Sequence, residues 1–371
     1  MSKIDELTRP GIQKIPPYIP GRTAESVKEK YHLTHVLKLA SNENQYGPAP
    51  MATAAIKEAE EYINIYPDPF CMEIRKKLGK LFGFDDSGDN VIISAGASGV
   101  LALLGEIFIC EGDEYITCEP TFGALNGAVK RHGGKVITVP VTEEQVFDLD
   151  AMEAQVTDKT KMVYICNPNN PTGTAVDSAK LRAFIRKMPD HVITVIDEAY
   201  IEFADDPDVE SMISEIREGL NLVVVRTFSK VYGLAGERIG YTFMNKEMHG
   251  VMQKATSVFV VGRTSLAGAM AALDDREFID STVKKIAEGR AYVTRELEAL
   301  GWKVWPSKTN FVYADSHLNT EILAQELEKK GLIIRGNFAY SRITIGRMDQ
   351  NREMIDIIKK VVAEGNVPAA D

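Results

Sequence analysis

Residues Val223–Lys230 read VVVRTFSK, an apolar run that ends in a lysine flanked by hydroxyl and arginine side chains. Unbroken apolar residues predict a strand that is buried on both faces, so Lys230 is expected in the loop that follows it. Arg238 follows eight residues later. An amine in this setting can hold an aldehyde cofactor as a Schiff base while its neighbours bind a phosphate. Lys230 is therefore the first candidate for a catalytic residue.

Further apolar runs alternate with helical patterns from about residue 90 to 245, which predicts an α/β fold with a mostly parallel central sheet covered by helices. The predicted strands are Val91–Ser94, Tyr115–Cys118, Val136–Pro140, Met162–Cys166, Val192–Ile196, Leu222–Val225 and Ile239–Met244. Ligands bind such sheets where the carboxyl ends of strands open into loops. Asn170, Asp197 and Lys230 all follow such ends.

The pattern changes after about residue 275. A long amphipathic helix from about Glu277 to Leu300 leads into shorter strand and helix patterns, which predicts a second, smaller α+β domain. The predicted organisation is an N-terminal arm over residues 1–40 that belongs to the small domain, a large domain over 41–275 and a small C-terminal domain over 276–371. Proline and glycine between Pro16 and Gly21 predict an extended arm.

Composition excludes several classes of function. The 371 residues carry a net charge of −10, which argues against nucleic acid as a partner. No stretch has the apolar length of a membrane span or of a signal peptide, so a cytoplasmic protein without membrane contact is expected. The four cysteines lack CxxC spacing and are predicted to be reduced core thiols. The histidines form no ligand cluster, so no metal is expected.

A second motif follows the first predicted strand. Val91–Gly99 and the apolar residues after it predict a strand, a tight turn and a helix, with the amides of Ala97 and Ser98 facing an anion. The same pattern partly matches a dinucleotide fingerprint, with Glu119 as a possible ribose acceptor. Ser94 occupies the place of the first glycine in GxGxxG, which disfavours a nicotinamide-dependent dehydrogenase.

Three segments in this order resemble the aminotransferases of the pyridoxal-phosphate fold-type I superfamily: Asn167–Gly173 (NPNNPTG), Asp197–Tyr200 (DEAY) and Thr227–Lys230. The resemblance implies that Lys230 holds pyridoxal 5′-phosphate as a Schiff base and then acts as the general acid and base. It implies that Asp197 keeps the pyridine nitrogen protonated. It also places Asn170 and Tyr200 beside the phenolic oxygen.

The remaining cofactor contacts are also implied by this resemblance. Phe122 matches the aromatic residue that stacks on the pyridine ring. The residues that match phosphate ligands are Ala97, Ser98, Thr227, Ser229, Arg238 and, from a partner subunit, Tyr66. The chain is therefore expected to form a homodimer in which Tyr66 reaches the neighbouring site.

Within the superfamily, nearly the whole chain resembles the histidinol-phosphate aminotransferase family. The segments Ile15–Gly21 and Leu39–Asn44 look like that family's arm. The resemblance implies histidinol phosphate as the amino donor, 2-oxoglutarate as the acceptor and a place in histidine biosynthesis. The residues expected to bind substrate are Tyr18, Asn42, Arg335 and Arg342.

The chain departs from the family pattern at Gln45, at Ile65, at Arg347 and in the turn Ala97–Gly99. None of these departures removes a catalytic group, but together they leave the donor open. The alternative is an aromatic amino acid, and a related branch decarboxylates threonine phosphate. A cofactor-binding regulator of the same fold would need a DNA-binding module, and the arm before Asn42 has no room for a helix-turn-helix.

Overall fold

The computed structural model describes residues 4–13, 15–16 and 21–370. Within these residues the strands β1 to β12 are Leu37–Lys38, Val91–Ser94, Glu114–Glu119, Lys135–Pro140, Thr160–Cys166, Ile193–Asp197, Leu222–Thr227, Gly240–Met244, Lys303–Val304, Phe311–Asp315, Leu332–Ile333 and Ser341–Thr344. The helices α1 to α13 are Pro10–Gln13, Ala24–Tyr31, Pro50–Ala59, Met72–Leu81, Ala97–Phe108, Ala124–Arg131, Leu149–Glu153, Ser178–Lys187, Lys246–Gln253, Arg263–Ala272, Arg276–Glu298, Thr320–Lys329 and Met348–Glu364.

The largest sheet has seven strands in the order β2-β8-β7-β6-β5-β3-β4. Strand β8 is antiparallel to both of its neighbours, and the other neighbouring strands are parallel. The apolar runs predicted as strands form this sheet, and Val223, Val224 and Val225 have no solvent exposure. Helices cover the two faces, because strands without polar alternation need apolar contacts on both sides.

Three parallel strands end side by side. In the register of β5, β6 and β7, Cys166 lies opposite Asp197, and Asp197 lies opposite Val225. The loops that follow these strands therefore leave the sheet at one edge. This register brings Asn170 and Lys230 towards Asp197, although 60 residues of chain separate the first from the second.

The two ends of the chain meet in two smaller sheets. Strand β1 pairs in parallel with β11, and β10 lies between β12 and β9 in an antiparallel sheet. The amide of Thr344 donates to the carbonyl of Leu39 at 3.0 Å, which ties β12 to the segment after β1. The long helix predicted from about Glu277 is α11. The domain boundaries stay a prediction.

The N-terminal arm contains more helix than the sequence analysis anticipated. Helix α2 begins after Thr23, whose hydroxyl accepts from the amide of Ser26. Its one buried residue is Val27, which packs with Ala40 and Ile333. A single buried residue gives no apolar period, so the sequence carried little signal for this helix. Most of the proline-rich stretch, including Tyr18, lies outside the described residues.

The cysteines are all free, and Cys71, Cys118 and Cys166 are buried while Cys110 is exposed. The first three therefore behave as core residues, and the prediction of a core thiol is wrong for Cys110. Across the described ranges, no helix has both the length and the apolar character needed to cross a bilayer. The same ranges contain no group of three or more His, Cys, Asp or Glu side chains placed to hold a metal ion.

Candidate active site

A cavity of about 440 Å³ opens where β5, β6 and β7 end. Thirteen residues singled out from the sequence line it: Asn42, Ala97, Ser98, Phe122, Asn170, Asp197, Tyr200, Thr227, Ser229, Lys230, Arg238, Arg335 and Arg342. They come from loops after four strands of the large sheet, from the N-terminus of α5 and from the small sheets. The fold thus gathers into one space residues that are spread over 300 positions of the chain.

Two predicted residues are not part of this lining. Tyr18 lies outside the described residues. Tyr66 does not line the cavity of its own chain. Its side chain is 76% exposed, and its ring lies against the ring of Phe259, with 4.6 Å between the centroids.

The amine of Lys230 lies at the centre of the cavity wall. Its Nζ donates to the carbonyl oxygens of Ser41 at 3.3 Å and Asn42 at 3.4 Å. The ring of Tyr200 lies beneath it, 5.3 Å from Nζ to the centroid. Burial, reinforced by the charge of Arg342, lowers the pKa of Lys230 to about 8. A substantial fraction of this amine is therefore neutral near physiological pH, as a nucleophile or a base requires.

The carboxylate of Asp197 is almost completely buried, with 1% of the residue exposed. Its Oδ2 accepts from the hydroxyl of Tyr164 at 2.9 Å, and its Oδ1 accepts from the amide of Ala199 at 3.0 Å. Burial raises the pKa of Asp197 to about 6, and these two hydrogen bonds oppose the rise. Within the described chain, no lysine, arginine or histidine pairs with this carboxylate at ion-pair distance.

The hydroxyl of Tyr200 accepts two hydrogen bonds. One comes from Nδ2 of Asn42 at 3.0 Å and the other from Nδ2 of Asn170 at 3.4 Å. Both bonds use the oxygen as acceptor, so the hydroxyl proton stays available for donation. Burial raises the pKa of Tyr200, which keeps it a proton donor.

An anion cradle lies at the start of α5, whose first amides have no acceptor within the helix. Gly96 precedes this helix with φ of 75°, and a Cβ there would lie 2.5 Å from Nη2 of Arg238. A Cβ on Gly240 would lie 2.7 Å from the amide nitrogen of Ala97. The two glycines thus let the guanidinium group and the helix terminus approach each other. Arg238 also donates to Oγ of Ser229 at 3.3 Å.

The opposite wall carries two further arginines. The buried Arg342 donates to Oδ1 of Asn170 at 2.5 Å and to the carbonyl of Ala40 at 2.6 Å, and its Nε has no partner among the described residues. Burial lowers the pKa of Arg342 to about 10. Arg335 is partly exposed and exchanges backbone hydrogen bonds with Arg342. Of the three arginines that line the cavity, including Arg238, none forms an ion pair with a carboxylate of the described residues.

Sequence reasoning missed several residues that shape the site. Tyr164 lies inside an apolar strand, where a tyrosine reads as a core residue. Thr121 donates to Oδ1 of Asn169 at 2.8 Å and lines the cavity together with Phe338. The carbonyl of Ser41 contacts Lys230 through the backbone, which no side-chain pattern reveals. For Tyr164 alone a signal existed, because it is the one residue with a hydroxyl among the apolar residues Met162–Cys166.

The chain has many relatives of similar length. Residues 34–358 match the family described as aminotransferase class I and II. The histidinol-phosphate aminotransferase of Moorella thermoacetica is 36% identical over 361 residues, covering 96% of this chain and 93% of that protein. The enzyme of the same name from Brevibacillus brevis is 36% identical over 358 residues, covering 95% and 97%.

A solved structure agrees with these relatives. The crystal structure of histidinol-phosphate aminotransferase from Sinorhizobium meliloti in complex with pyridoxal-5′-phosphate matches this fold with a TM-score of 0.88. The two sequences are 28% identical, and the match covers 96% of this chain and 97% of that one. The predicted fold class, the fold-type I aminotransferase fold, is therefore confirmed. The protein described here belongs to the class I and II aminotransferases.

Proposed function

We propose that this aminotransferase transfers the amino group of histidinol phosphate to 2-oxoglutarate in histidine biosynthesis, with pyridoxal 5′-phosphate as its cofactor. One observation carries the proposal: three arginines face a single cavity without a carboxylate partner in the described chain. Of these three arginines, Arg342 is buried, Arg335 is partly exposed and Arg238 is exposed. Guanidinium groups that line a cavity without counter-ions favour anionic ligands. A cofactor phosphate accounts for one of them, and the anionic end of a substrate accounts for the other two.

The residues present fit the cofactor. Asp197 is a buried carboxylate without a cationic partner, and a protonated ring nitrogen would supply one. Ala97, Ser98 and Arg238 would hold the phosphate through backbone amides and a guanidinium group, with Thr227 and Ser229 adding hydroxyls. When bound, pyridoxal phosphate accepts the electron pair left behind when a proton leaves the substrate Cα.

Lys230 is the residue that we assign to proton transfer. Its lowered pKa leaves a neutral amine that can remove the proton from the substrate Cα and return it as the ammonium form. The Tyr200 oxygen accepts from Asn42 and Asn170, and the residue lines the cavity, so its hydroxyl proton would be free to stabilise a phenolic oxygen. Phe122 lines the same cavity and would pack against the ring.

We assign binding of the substrate, at its anionic end, to Arg335 and Arg342, together with Tyr18 and Asn42. Two guanidinium groups on one wall suit a doubly charged phosphate better than the uncharged ring of an aromatic amino acid. The relatives that cover nearly the whole chain carry the name histidinol-phosphate aminotransferase, which also favours this donor.

The choice of donor is tested by measuring kcat/KM of the purified enzyme for histidinol phosphate, phenylalanine and tyrosine, each with 2-oxoglutarate. We expect a clear preference for histidinol phosphate. A preference for the aromatic amino acids would move the protein to that activity and leave the Lys230 chemistry unchanged.

The chemistry itself is tested by Lys230→Ala. We expect turnover to fall roughly a thousand-fold or more, since the general acid and base is lost. The variant should still fold, as judged by circular dichroism, and still bind pyridoxal phosphate without a covalent bond. Near-normal turnover would refute the assignment of Lys230.

The working unit is proposed to be a homodimer in the cytoplasm, in which Tyr66 completes the site of the partner subunit. Exposed apolar residues flank Tyr66 in the sequence, namely Ile63, Ile65 and Phe70, and its ring contacts the exposed Phe259, as expected of an interface. We also propose that residues 276–371 and the arm form the smaller domain, as the pairing of β1 with β11 suggests.

Mixed dimers test the role of Tyr66. Lys230→Ala and Tyr66→Ala chains, each of low activity alone, are unfolded and refolded together. If Tyr66 acts in the partner's site, each mixed dimer contains one site with both residues intact, so activity returns. If Tyr66 acted within its own chain, every site would lack one residue and the mixture would stay inactive.

A further inference from the structure

The backbone of Ser41 and Asn42 forms the hydrogen-bonding partner of the Lys230 amine. Both carbonyl oxygens point at Nζ, and Asn42 reaches this position with a φ of 56°. This left-handed conformation is unfavourable for most residues, although asparagine tolerates it better than most. Something must therefore hold Asn42 in place.

Two residues near the other end of the chain hold it. The amide of Asn42 donates to Oγ1 of Thr344 at 3.0 Å, and the same hydroxyl donates to Oδ1 of Asn42 at 3.0 Å. Nδ2 of Asn310 donates to the carbonyl oxygen of Asn42 at 3.0 Å. All three residues are buried, with at most 1% of each exposed. Neither Thr344 nor Asn310 lines the cavity.

Both ends of the Asn42 side-chain amide are engaged in this arrangement. Its Oδ1 accepts from Thr344, which leaves Nδ2 to donate to the hydroxyl of Tyr200 at 3.0 Å. The Thr344 hydroxyl therefore holds Asn42 at two points, its backbone amide and its side-chain oxygen.

We propose that Thr344 and Asn310 are positioning residues for the catalytic lysine. By fixing Asn42 they aim two carbonyl oxygens at Lys230 Nζ, and they aim the Asn42 amide at Tyr200. When Lys230 is not bonded to the cofactor, the two carbonyl oxygens hold its free amine beside them. The lone pair of the amine therefore keeps a fixed direction in the cavity. The inference rests on the role proposed above for Lys230. It adds a positioning role for two residues that do not line the cavity.

The two carbonyl oxygens matter for the pKa of Lys230, because the charged groups around Nζ act on it in opposite directions. Arg342 and Arg238 disfavour the ammonium form, while Glu43 and Asp197 favour it, and burial is the largest effect. The carbonyl oxygens accept hydrogen bonds from the ammonium form and stabilise it. If Asn42 is released, the amine loses these acceptors, and its pKa should fall below about 8.

The test compares Thr344→Val, which removes the hydroxyl at constant shape, with Thr344→Ser, which keeps it. The pH dependence of Lys230 acylation is followed by peptide mass spectrometry in the cofactor-free protein. Thr344→Val should lower the apparent pKa of Lys230 and reduce kcat about tenfold, roughly the contribution of one buried hydrogen bond. Thr344→Ser should stay within about twofold of the natural protein in kcat and keep its titration.

Thr242→Val is the matched control, because Thr242 is a buried threonine whose hydroxyl donates to the carbonyl of Val224 at 2.9 Å. It should leave the Lys230 titration unchanged. Asn310→Ser gives a second measurement if Thr344→Val does not fold. An unchanged Lys230 titration in either folded variant would overturn the proposal. The titration needs no substrate, so a different amino donor would affect the proposed function alone.

Discussion

The hydroxyl of Tyr164 donates a 2.9 Å hydrogen bond to Oδ2 of Asp197, and both groups are shielded from solvent. Burial alone favours the neutral carboxyl group, and it raises the pKa of Asp197 to about 6 even with this bond in place. Burial, and next the charge of Asp197, raise the pKa of Tyr164 well above its ordinary value, so the phenol stays a donor. Tyr164 is therefore one reason why Asp197 is ionised at neutral pH.

We expect Tyr164→Phe to raise the pH at which Asp197 becomes protonated in the cofactor-free protein, measured as a shift in the pH profile of its free energy of unfolding. The bond lowers the pKa of Asp197, so its loss raises that pKa further, by about one unit for a hydrogen bond to a charged group. Tyr115→Phe is the control, since the Tyr115 hydroxyl donates to Asn126 instead, at 2.9 Å. A Tyr164→Phe profile that coincides with that of the natural enzyme would contradict this role.

Lys230 should make the stability of the cofactor-free protein depend on pH. The folded protein holds the pKa of Lys230 at about 8, below the ordinary 10.5, so the unfolded chain binds the extra proton between these values. The resulting destabilisation is fully present below pH 8 and is lost as pH rises towards 10.5. Lys230→Met removes the buried charge, so its advantage in free energy of unfolding should be largest below pH 8.

Urea denaturation of the Lys230→Met variant and of the natural protein at a series of pH values measures the difference between their free energies of unfolding. Lys284→Met, a change at an exposed position of α11, supplies the control and should show no such pH-dependent advantage. If the difference between Lys230→Met and the natural protein is the same at every pH, burial does not perturb this lysine.

Gly96→Ala should weaken binding of pyridoxal phosphate. The positive φ is strained for alanine, and the new methyl group would lie 2.5 Å from Nη2 of Arg238 and displace it. A cost of about 1–3 kcal/mol corresponds to roughly a five- to hundred-fold rise in Kd. Gly236→Ala is matched to it, because Gly236 lies in the same loop as Arg238 and a methyl group there would have no neighbouring atom within 4 Å. Spectrophotometric titration with pyridoxal phosphate measures the Kd of each variant. Equal Kd values for Gly96→Ala and Gly236→Ala would contradict phosphate binding at the start of α5.

Arg335→Ala should raise KM for histidinol phosphate by about ten- to a hundred-fold, because a charge-assisted contact contributes roughly 1.5–3 kcal/mol. Its effect on an amino donor with an uncharged tail should be small. Arg22→Ala is a suitable control, since Arg22 pairs with Glu328 at 2.5 Å and does not line the cavity. Steady-state kinetics with histidinol phosphate and with an uncharged-tail donor show whether the loss is specific to the phosphate. An equal loss for both donors would remove Arg335 from the phosphate site.

The large sheet was predictable because its strands are apolar runs of the right length. Val91–Ser94 was predicted with the observed bounds, and Leu222–Val225 continues only as far as Thr227. The direction of β8 was not predicted. The loop after β7 carries Lys230 and Arg238 and contains no helix, and a parallel crossover would have needed one.

The candidate site was predictable where side chains follow strand ends, as Asp197 and Lys230 do. Their hydrogen-bond partners were not, since Thr344 looks like an ordinary buried strand residue, and the single hydroxyl of Tyr164 within an apolar strand does not name its partner. The bond from Asn42 to Thr344 spans 302 positions, and no local pattern encodes a pairing of that range. Asn42, which was expected to bind substrate, lines the cavity, and its side chain also bonds Tyr200 and Thr344.

The hydrogen bonds between Asn42 and Thr344 can form only late in translation, because Thr344 is synthesised long after Asn42. A ribosome that adds about 5–20 residues per second needs roughly 15–60 seconds to pass from one to the other. In the later part of that time the nascent chain already contains Lys230 and Asp197, but the segment that presents carbonyls to the amine has no anchor. The large sheet can form early, and the cofactor pocket closes only when the last strand leaves the ribosome. Chains that terminate before β12 should therefore accumulate a folded sheet that retains little pyridoxal phosphate.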